Sequence, residues 1–367
     1  MTKWQDHVRR VTPYVPGEQP AGADIIKLNT NENPYPPSPG VQEVLRALCA
    51  DDLRRYPDPD AKRLVNALSE RYQIPADQIF LGVGSDDVLA LSFLTFFSEC
   101  DKGTGTMSHS VHFPDVTYSF YKVWAALYHI PYREVALAED FTLEKPAIVP
   151  VPLAGFSDGR AGGIVIANPN APTGIAAELS LIEEVVKNNP QCVVIVDEAY
   201  IDFGGESALP LIEKYDNLLV VQTFSKSRSM AGMRIGYAFG SKELIRALND
   251  VKFSVNSYTL NLPSILAGEA ALKDEAYFKE CVDRIKATRE DTKHQLDALG
   301  FSTLPSATNF LFTRPPAGNA EEIYNKLREK RIYVRYFNAP RTKEYLRITI
   351  GTDDEMRQLT EALKGMI

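Results

Sequence analysis

The sequence predicts an α/β protein, with a large domain on a mostly parallel sheet between helices and a smaller α+β domain after it. Three observations carry this. Short continuous runs rich in β-branched residues, Gly163–Ala167, Val193–Val196 and Leu218–Gln222, alternate with amphipathic stretches. That is the pattern of strands buried on both faces of a parallel sheet. Each run ends in polar residues that a core does not need: Asn168, Asp197, and Thr223 through Lys226. From about residue 256 the texture changes to long charged helical stretches and short strands.

Length and composition agree. A chain of 367 residues is too long for one small core and suggests about two domains. Hydrophobic residues make up 44% and charged residues 24%, which excludes a disordered chain, a collagen-like repeat and a small disulfide scaffold. Lys and Arg number 40 against 48 Asp and Glu, a net charge of −8 with no basic stripe, so nucleic acid is not an expected partner. A local basic pocket for an anionic substrate remains open. No apolar stretch approaches the roughly 18 residues of a membrane span. The start, MTKWQDHVRR, is charged and lacks the apolar segment of a secretory signal. Cys49, Cys100, Cys192 and Cys281 form no CxxC and are expected to be free, in a reducing, cytoplasmic setting. The histidines form no HxxxH or HExxH pair, so no metal is expected; His109 and His112 are expected to be exposed.

Residues 1–34 are rich in Pro, Asn and Gly, which forbids long regular structure. Ile25, Ile26 and Leu28 nevertheless predict an ordered arm with a short strand, packed beside the small domain. The large domain is expected over 35–255. Leu81-Gly-Val-Gly-Ser85-Asp86-Asp87 opens an apolar helix with a Gly-rich turn, an anion site with Ser85 as the expected N-cap. The third glycine of a dinucleotide fingerprint is missing, because position 87 is Asp. Tyr121 and Trp124 read as core aromatics. A helix is expected near 178–189. The small domain, 256–367, should hold a helix over roughly 274–299, strands at Asn309–Phe312, Ile332–Arg335 and Tyr345–Ile350, and a helix near 320–330.

The candidate chemistry lies at the strand ends, where α/β sheets bind ligands. Lys226 follows a buried strand among Thr223, Ser225 and Arg234, groups suited to a phosphate. It suggests Schiff-base chemistry with a phosphorylated aldehyde, or a plain phosphate clamp; a solvated loop lysine is the ordinary alternative. Asp197, in Asp197-Glu198-Ala199-Tyr200, is a carboxylate that burial penalises unless a cation pairs with it. A protonated pyridine nitrogen would serve, and helix capping is the alternative. Tyr200 can present a phenol to a ring oxygen. Asn168-Pro-Asn-Ala-Pro-Thr-Gly174 is a rigid turn in which Asn168 either bonds a ligand oxygen or only shapes the turn.

In this order, with 29 residues from Asn168 to Asp197 and 29 from Asp197 to Lys226, these motifs resemble the fold-type I pyridoxal-phosphate aminotransferases. Pro13-Tyr-Val-Pro-Gly17, Leu28-Asn-Thr-Asn-Glu-Asn-Pro34, Arg55-Tyr-Pro-Asp-Pro59 and Leu346-Arg-Ile-Thr-Ile-Gly-Thr352 are closer still to the histidinol-phosphate aminotransferase family. The resemblance implies a seven-stranded-type sheet and pyridoxal 5'-phosphate as cofactor. Lys226 would hold it covalently and then shuttle the proton, and Asp197 would pair with the ring nitrogen. Asn168 and Tyr200 would bond the phenolic oxygen, and Tyr118 would stack on the ring. Gly84, Ser85, Asp86, Thr223, Ser225 and Arg234 would surround the phosphate, with Tyr56 reaching it from a second subunit of a homodimer. Tyr14, Asn31, Arg335 and Arg347 would face the substrate.

The implied reaction transfers nitrogen from L-histidinol phosphate to 2-oxoglutarate, giving imidazole-acetol phosphate and glutamate. Alternatives are an aromatic amino-acid aminotransferase, a decarboxylase of phosphorylated amino acids, and a silent ligand-binding module. Two stretches depart from the family pattern. Lys102–Ser110 stands where a short apolar strand is expected before Tyr118, and Val149–Arg160 is loop-like.

Overall fold

In the computed structural model, residues 3–22, 24–97, 110–143 and 162–367 are described. The arm supplies β1 (Ile26–Lys27). Seven further strands, β2 (Ile79–Gly82), β3 (Val111–Pro114), β4 (Tyr132–Val135), β5 (Gly163–Ala167), β6 (Val193–Asp197), β7 (Leu218–Thr223) and β8 (Gly236–Phe239), form one sheet in the order β2-β8-β7-β6-β5-β3-β4. Strand β8 runs antiparallel to both neighbours, and every other pairing is parallel. The alternation of the strand residues divides the core. Ile164, Ile166, Val194, Val196 and Val220 pack on one face, and Val165, Ile195, Leu219 and Val221 on the other.

Helices α1 (Pro39–Ala47), α2 (Lys62–Tyr72), α3 (Ser85–Phe96), α4 (Phe120–Leu127), α5 (Leu179–Asn188) and α6 (Lys242–Val255) precede α7 (Leu262–Lys273). The expected division at residue 256 does not match the packing. Leu260, Ile265, Ala267, Ala271 and Leu272 join the core of the large sheet. Gly268 allows this approach: a Cβ there would stand 3.0 Å from Ile235 and from Leu64. The second core begins after Asp274, whose side chain accepts from Tyr277 N–H and opens α8 (Glu275–Ala298).

Strands β9 (Ser302–Thr303), β10 (Phe310–Arg314), β11 (Ile332–Tyr333), β12 (Arg335–Tyr336) and β13 (Leu346–Thr349) follow, with helices α9 (Ala320–Glu329) and α10 (Asp353–Lys364). An antiparallel sheet runs β12-β13-β10-β9. Strand β1 lies parallel to β11, Ile26 opposite Ile332, so the arm is tied to this part of the chain. The stretch read as one strand, Ile332–Arg335, is two: the chain changes partners at the buried Val334. Leu28, Val282, Ile285, Leu311, Ile323, Ile348 and Leu359 fill the core between them.

Three local expectations are corrected. A short strand does precede Tyr118: Val111–Pro114, too brief to stand out in sequence. His112 lies in it and is buried, not exposed, its Nε2 2.9 Å from Ser110 Oγ; burial lowers it to about 4. Gly84, not Ser85, occupies the N-cap of α3, with φ +83. Cys49, Cys192 and Cys281 are free. Cys100, residues 102–109 including His109, and Val149–Arg160 lie outside the described residues. Among the described residues no helix is long and apolar enough to cross a membrane.

Candidate active site

The carboxyl ends of β5, β6 and β7 open into a cavity of about 350 Å³, closed from the other side by the arm and the small sheet. Its walls include Lys226, Asp197, Tyr200, Tyr118, Ser85, Asp86, Ser225 and Arg234 from the large sheet. Tyr14, Asn31, Arg335 and Arg347 line it as well. Residues that are far apart in sequence thus converge on one space.

Asp197 ends β6 and is almost fully buried. Tyr121 Oη donates to its Oδ2 at 2.8 Å, and Ala199 N–H donates to Oδ1 at 3.2 Å. The bond from Ala199 N–H, two residues on, makes a local turn; no helix is capped. Burial raises the Asp197 carboxyl to about 6, although both bonds act the other way. No cation pairs with it among the described residues. Its neighbour Glu198 faces away from the cavity and is held by Ser207 Oγ, Ala208 N–H and Gln222 Nε2; burial raises it to about 7.

Lys226 Nζ donates to Thr30 O at 3.1 Å and lies 5.8 Å from the centre of the Tyr200 ring. The arm also grips the lysine's backbone, since Asn33 Nδ2 donates to the carbonyls of Lys226 and Ser227. Tyr200 Oη accepts from Asn31 Nδ2 at 2.8 Å, and Asn31, with φ +57, is pinned in turn by Thr349.

The phosphate-type groups cluster at the start of α3. Thr223 Oγ1 donates to Ser225 Oγ at 3.0 Å and accepts from Ser225 N–H. Arg234 Nη1 reaches Ser225 Oγ at 3.4 Å, and Nη2 reaches Asp86 Oδ2 at 3.4 Å. Both are long contacts, which leaves the guanidinium with donor capacity. The Asp86 carboxylate is occupied by Tyr118 Oη at 2.8 Å and by Arg234, so only its backbone N–H is offered to an anion. A φ of +83° favours glycine at position 84, and an added Cβ would displace Arg234 Nη2, which would lie 2.4 Å away.

At the opposite wall, Arg347 Nη2 donates to Asn29 O at 2.9 Å, while its buried Nε has no hydrogen-bond partner among the described residues. Burial first, and the nearby Arg335 charge as well, lower its proton affinity. Tyr14 stacks on Phe120 with centroids 4.1 Å apart.

Two expected residues stand elsewhere. The Asn168 amide is fully buried in its own turn, accepting from Ala177 N–H at 2.8 Å and reaching Ala177 O at 3.5 Å. Ala167 and Pro169 line the cavity beside it. Tyr56 is 81% exposed, outside the cavity, and stacks on Tyr258 at 4.5 Å. Sequence reasoning missed Tyr121, Thr30 and Asn33. Tyr121 reads in sequence as a core aromatic; that a buried tyrosine hydroxyl needs a partner is the one signal by which it could have been found.

Residues 23–363 match the family model of class I and II aminotransferases. The chain is 50% identical over 361 residues to the histidinol-phosphate aminotransferase of Lactococcus lactis subsp. cremoris (strain MG1363), covering 98% of this chain and 97% of that one. It is 50% identical over 363 residues to that of Chromohalobacter salexigens, covering 99% and 98%. Two solved structures share the fold. Histidinol-phosphate aminotransferase from Sinorhizobium meliloti in complex with pyridoxal-5'-phosphate gives a TM-score of 0.83 over 94% of this chain and 92% of that one, at 24% identity. L-threonine-O-3-phosphate decarboxylase from Porphyromonas gingivalis gives 0.75 over 93% and 99%, at 21% identity.

Proposed function

The chain belongs to the class I and II aminotransferases, and within them to the histidinol-phosphate aminotransferases; on that footing we propose that it transfers the amino group of L-histidinol phosphate to 2-oxoglutarate, with pyridoxal phosphate as cofactor. One observation carries the reading. A single cavity brings together a lysine, a buried carboxylate without a cation, and two arginines.

The residues present fit the cofactor. Asp197 lacks a counter-cation, and a protonated ring nitrogen supplies one. The α3 N-terminus, with Ser85, Ser225, Thr223 and Arg234 around it, is a donor set for a phosphate dianion. Tyr118 offers an aromatic face, and Tyr200 a phenol for the ring oxygen.

When bound, the cofactor supplies an aldehyde that condenses with amines and a ring that accepts electrons from the substrate's Cα. Everything else falls to the chain. Lys226 Nζ would hold the cofactor's aldehyde carbon at rest and, once displaced by substrate, would take the proton from the substrate's Cα and deliver it to the cofactor carbon that was the aldehyde. Thr30 O holds Nζ in the cavity, and Asn33 fixes the backbone behind it. Asp197 holds the ring nitrogen's positive charge. Arg335 and Arg347 bind the substrate's phosphate in the first half-reaction and the keto acid's carboxylate in the second, with Tyr14 and Asn31 beside them. Walls of the arm and small sheet exclude water from the reacting atoms.

The same reading makes the enzyme a cytoplasmic homodimer with shared sites. Tyr56 supports this, together with the exposed apolar side chains of Leu53, Phe253, Val255 and Tyr258. Single exposed apolar side chains are ordinary, but Tyr56 and Tyr258 stack on each other at 4.5 Å while both remain exposed, an apolar surface suited to a second copy of the chain. Tyr56 would then complete the phosphate site of the partner copy.

The test is direct. Purified protein loaded with pyridoxal phosphate is mixed with histidinol phosphate, phenylalanine or threonine phosphate, and cofactor absorbance and carbon dioxide release are followed. A spectral change with histidinol phosphate that 2-oxoglutarate reverses is expected. Preference for phenylalanine, or carbon dioxide from threonine phosphate, would replace this reading with the aromatic aminotransferase or the decarboxylase.

A further inference from the structure

Asp197 accepts a hydrogen bond from a residue outside the cavity. Tyr121, near the start of α4, is fully buried among Phe93, Phe113 and Trp124. Its hydroxyl donates to Asp197 Oδ2 at 2.8 Å. Among the described residues, Asp197 Oδ1 has the longer bond from Ala199 N–H alone. The Tyr118 ring meets Tyr121 edge-on, at 86° with centroids 5.7 Å apart. One buried phenol therefore contacts both the acid assigned to the ring nitrogen and the aromatic assigned to the ring's face.

Resting on the function proposed above, we propose that Tyr121 is a positioning residue for the cofactor: its hydroxyl fixes the rotation of the Asp197 carboxylate and holds it as the anion that a protonated ring nitrogen needs. Packing does not require the hydroxyl, because phenylalanine fills the same volume. Donation to a carboxylate favours the ionised form. Two influences oppose it: burial, which lifts Asp197 to about 6, and the nearby charge of Asp86. Burial also keeps the Tyr121 phenol protonated well beyond its ordinary range, so the donor persists. Tyr118 and Tyr200 are the other titratable groups facing the pair.

Tyr121→Phe, loaded with pyridoxal phosphate carrying ¹⁵N in the ring, tests this by nuclear magnetic resonance and by equilibrium dialysis. The wild-type ring nitrogen should give a pyridinium signal near neutral pH. In the variant it should move toward unprotonated pyridine, and cofactor affinity should fall about tenfold, the scale of one hydrogen bond to a charged group. A role confined to packing would change neither. An unmoved nitrogen signal with unchanged affinity would overturn the proposal. Should Tyr121→Phe not fold, 3-fluorotyrosine at position 121 is a stronger donor of the same shape. At a pH raised until the wild-type nitrogen is half protonated, it should shift the signal toward pyridinium, and no movement there overturns the proposal. A wild-type chain that takes up no cofactor overturns the functional reading itself, a result distinct from either.

Discussion

Arg335 and Arg347 are direct cross-strand partners on β12 and β13. Residues directly opposite share one face of a sheet, and like charges there repel. Both guanidinium carbons lie 5.3 Å from the centre of the Phe337 ring, and Arg347 also lies 5.3 Å from that of Phe310. Arg347 is anchored to Asn29 O at 2.9 Å, whereas among the described residues Arg335 makes a single long hydrogen bond, 3.5 Å to Val15 O. Two adjacent cations with unused donors form a receptor for an anion, and a dianion relieves the repulsion best.

The arginines should therefore separate by substrate. Arg335→Ala should lower kcat/KM for histidinol phosphate roughly ten- to hundredfold, the equivalent of about 1.5–3 kcal/mol for a charged hydrogen bond. Its effect on substrates bearing only carboxylates should be smaller. Arg347→Ala should impair both half-reactions. Measuring each half-reaction with each variant decides this, and equal losses for histidinol phosphate and phenylalanine in Arg335→Ala would remove the phosphate role.

Lys226→Ala should fold normally and lose the covalent link to the cofactor. Its bond to Thr30 O is one net hydrogen bond, worth about 1 kcal/mol. Borohydride reduction of the loaded wild-type protein, followed by peptide mapping, should place the label on Lys226. Label on another lysine would end the assignment.

Gly236 faces the phosphate turn across the pairing with Gly82. A Cβ at Gly236 would fall 2.2 Å from Gly84 C and 2.3 Å from Ser85 N, both backbone atoms that cannot swing away. Gly236→Ala should cost about 1–3 kcal/mol through overpacking and weaken cofactor binding by displacing the turn. Gly232→Ala, with nothing within 4 Å, should change neither. Thermal unfolding and dialysis against pyridoxal phosphate read both effects.

Shared sites predict complementation. Mixed Tyr56→Ala and Lys226→Ala proteins, each inactive alone, should regain partial activity after subunit exchange, because hybrids carry both defects in one site and leave the other intact. Exchange shown by mass spectrometry without any recovery would count against sharing.

Glu198 gives a pH signature to the cofactor-free protein. Burial raises its carboxyl from 4.5 to about 7, so folding favours the protonated form. That contribution is fully present below about 4.5 and is lost as pH rises through about 7. The thermal midpoint of the wild type should fall more steeply over this window than that of Glu198→Gln. Parallel profiles would show that Glu198 does not titrate there.

The strand runs, the lysine and aspartate at their ends, the Gly-rich turn before α3 and the arginines near the end of the chain were all legible in the sequence. Each is a local signal: a period-two or continuous apolar run, or a polar residue where an apolar run stops. Legibility failed where partners lie far apart. Helix α7 looks like part of the second core, and only its contacts with Leu64 and Ile235 assign it to the first. His112 looked exposed because its strand spans just four residues.

What the sequence by itself determined was the inventory: which elements form, in what order, and which residue types stand at their ends, since propensity and periodicity act between near neighbours. Tertiary structure alone decided which groups meet. It brought Thr30 to Lys226 across 196 positions, Asn31 to Tyr200 across 169, and Tyr121 to Asp197 across 76. The physical reason is that burial and hydrogen bonding depend on distance in space. A buried hydroxyl and a buried carboxylate must find partners wherever the packing of sheet and helices places them.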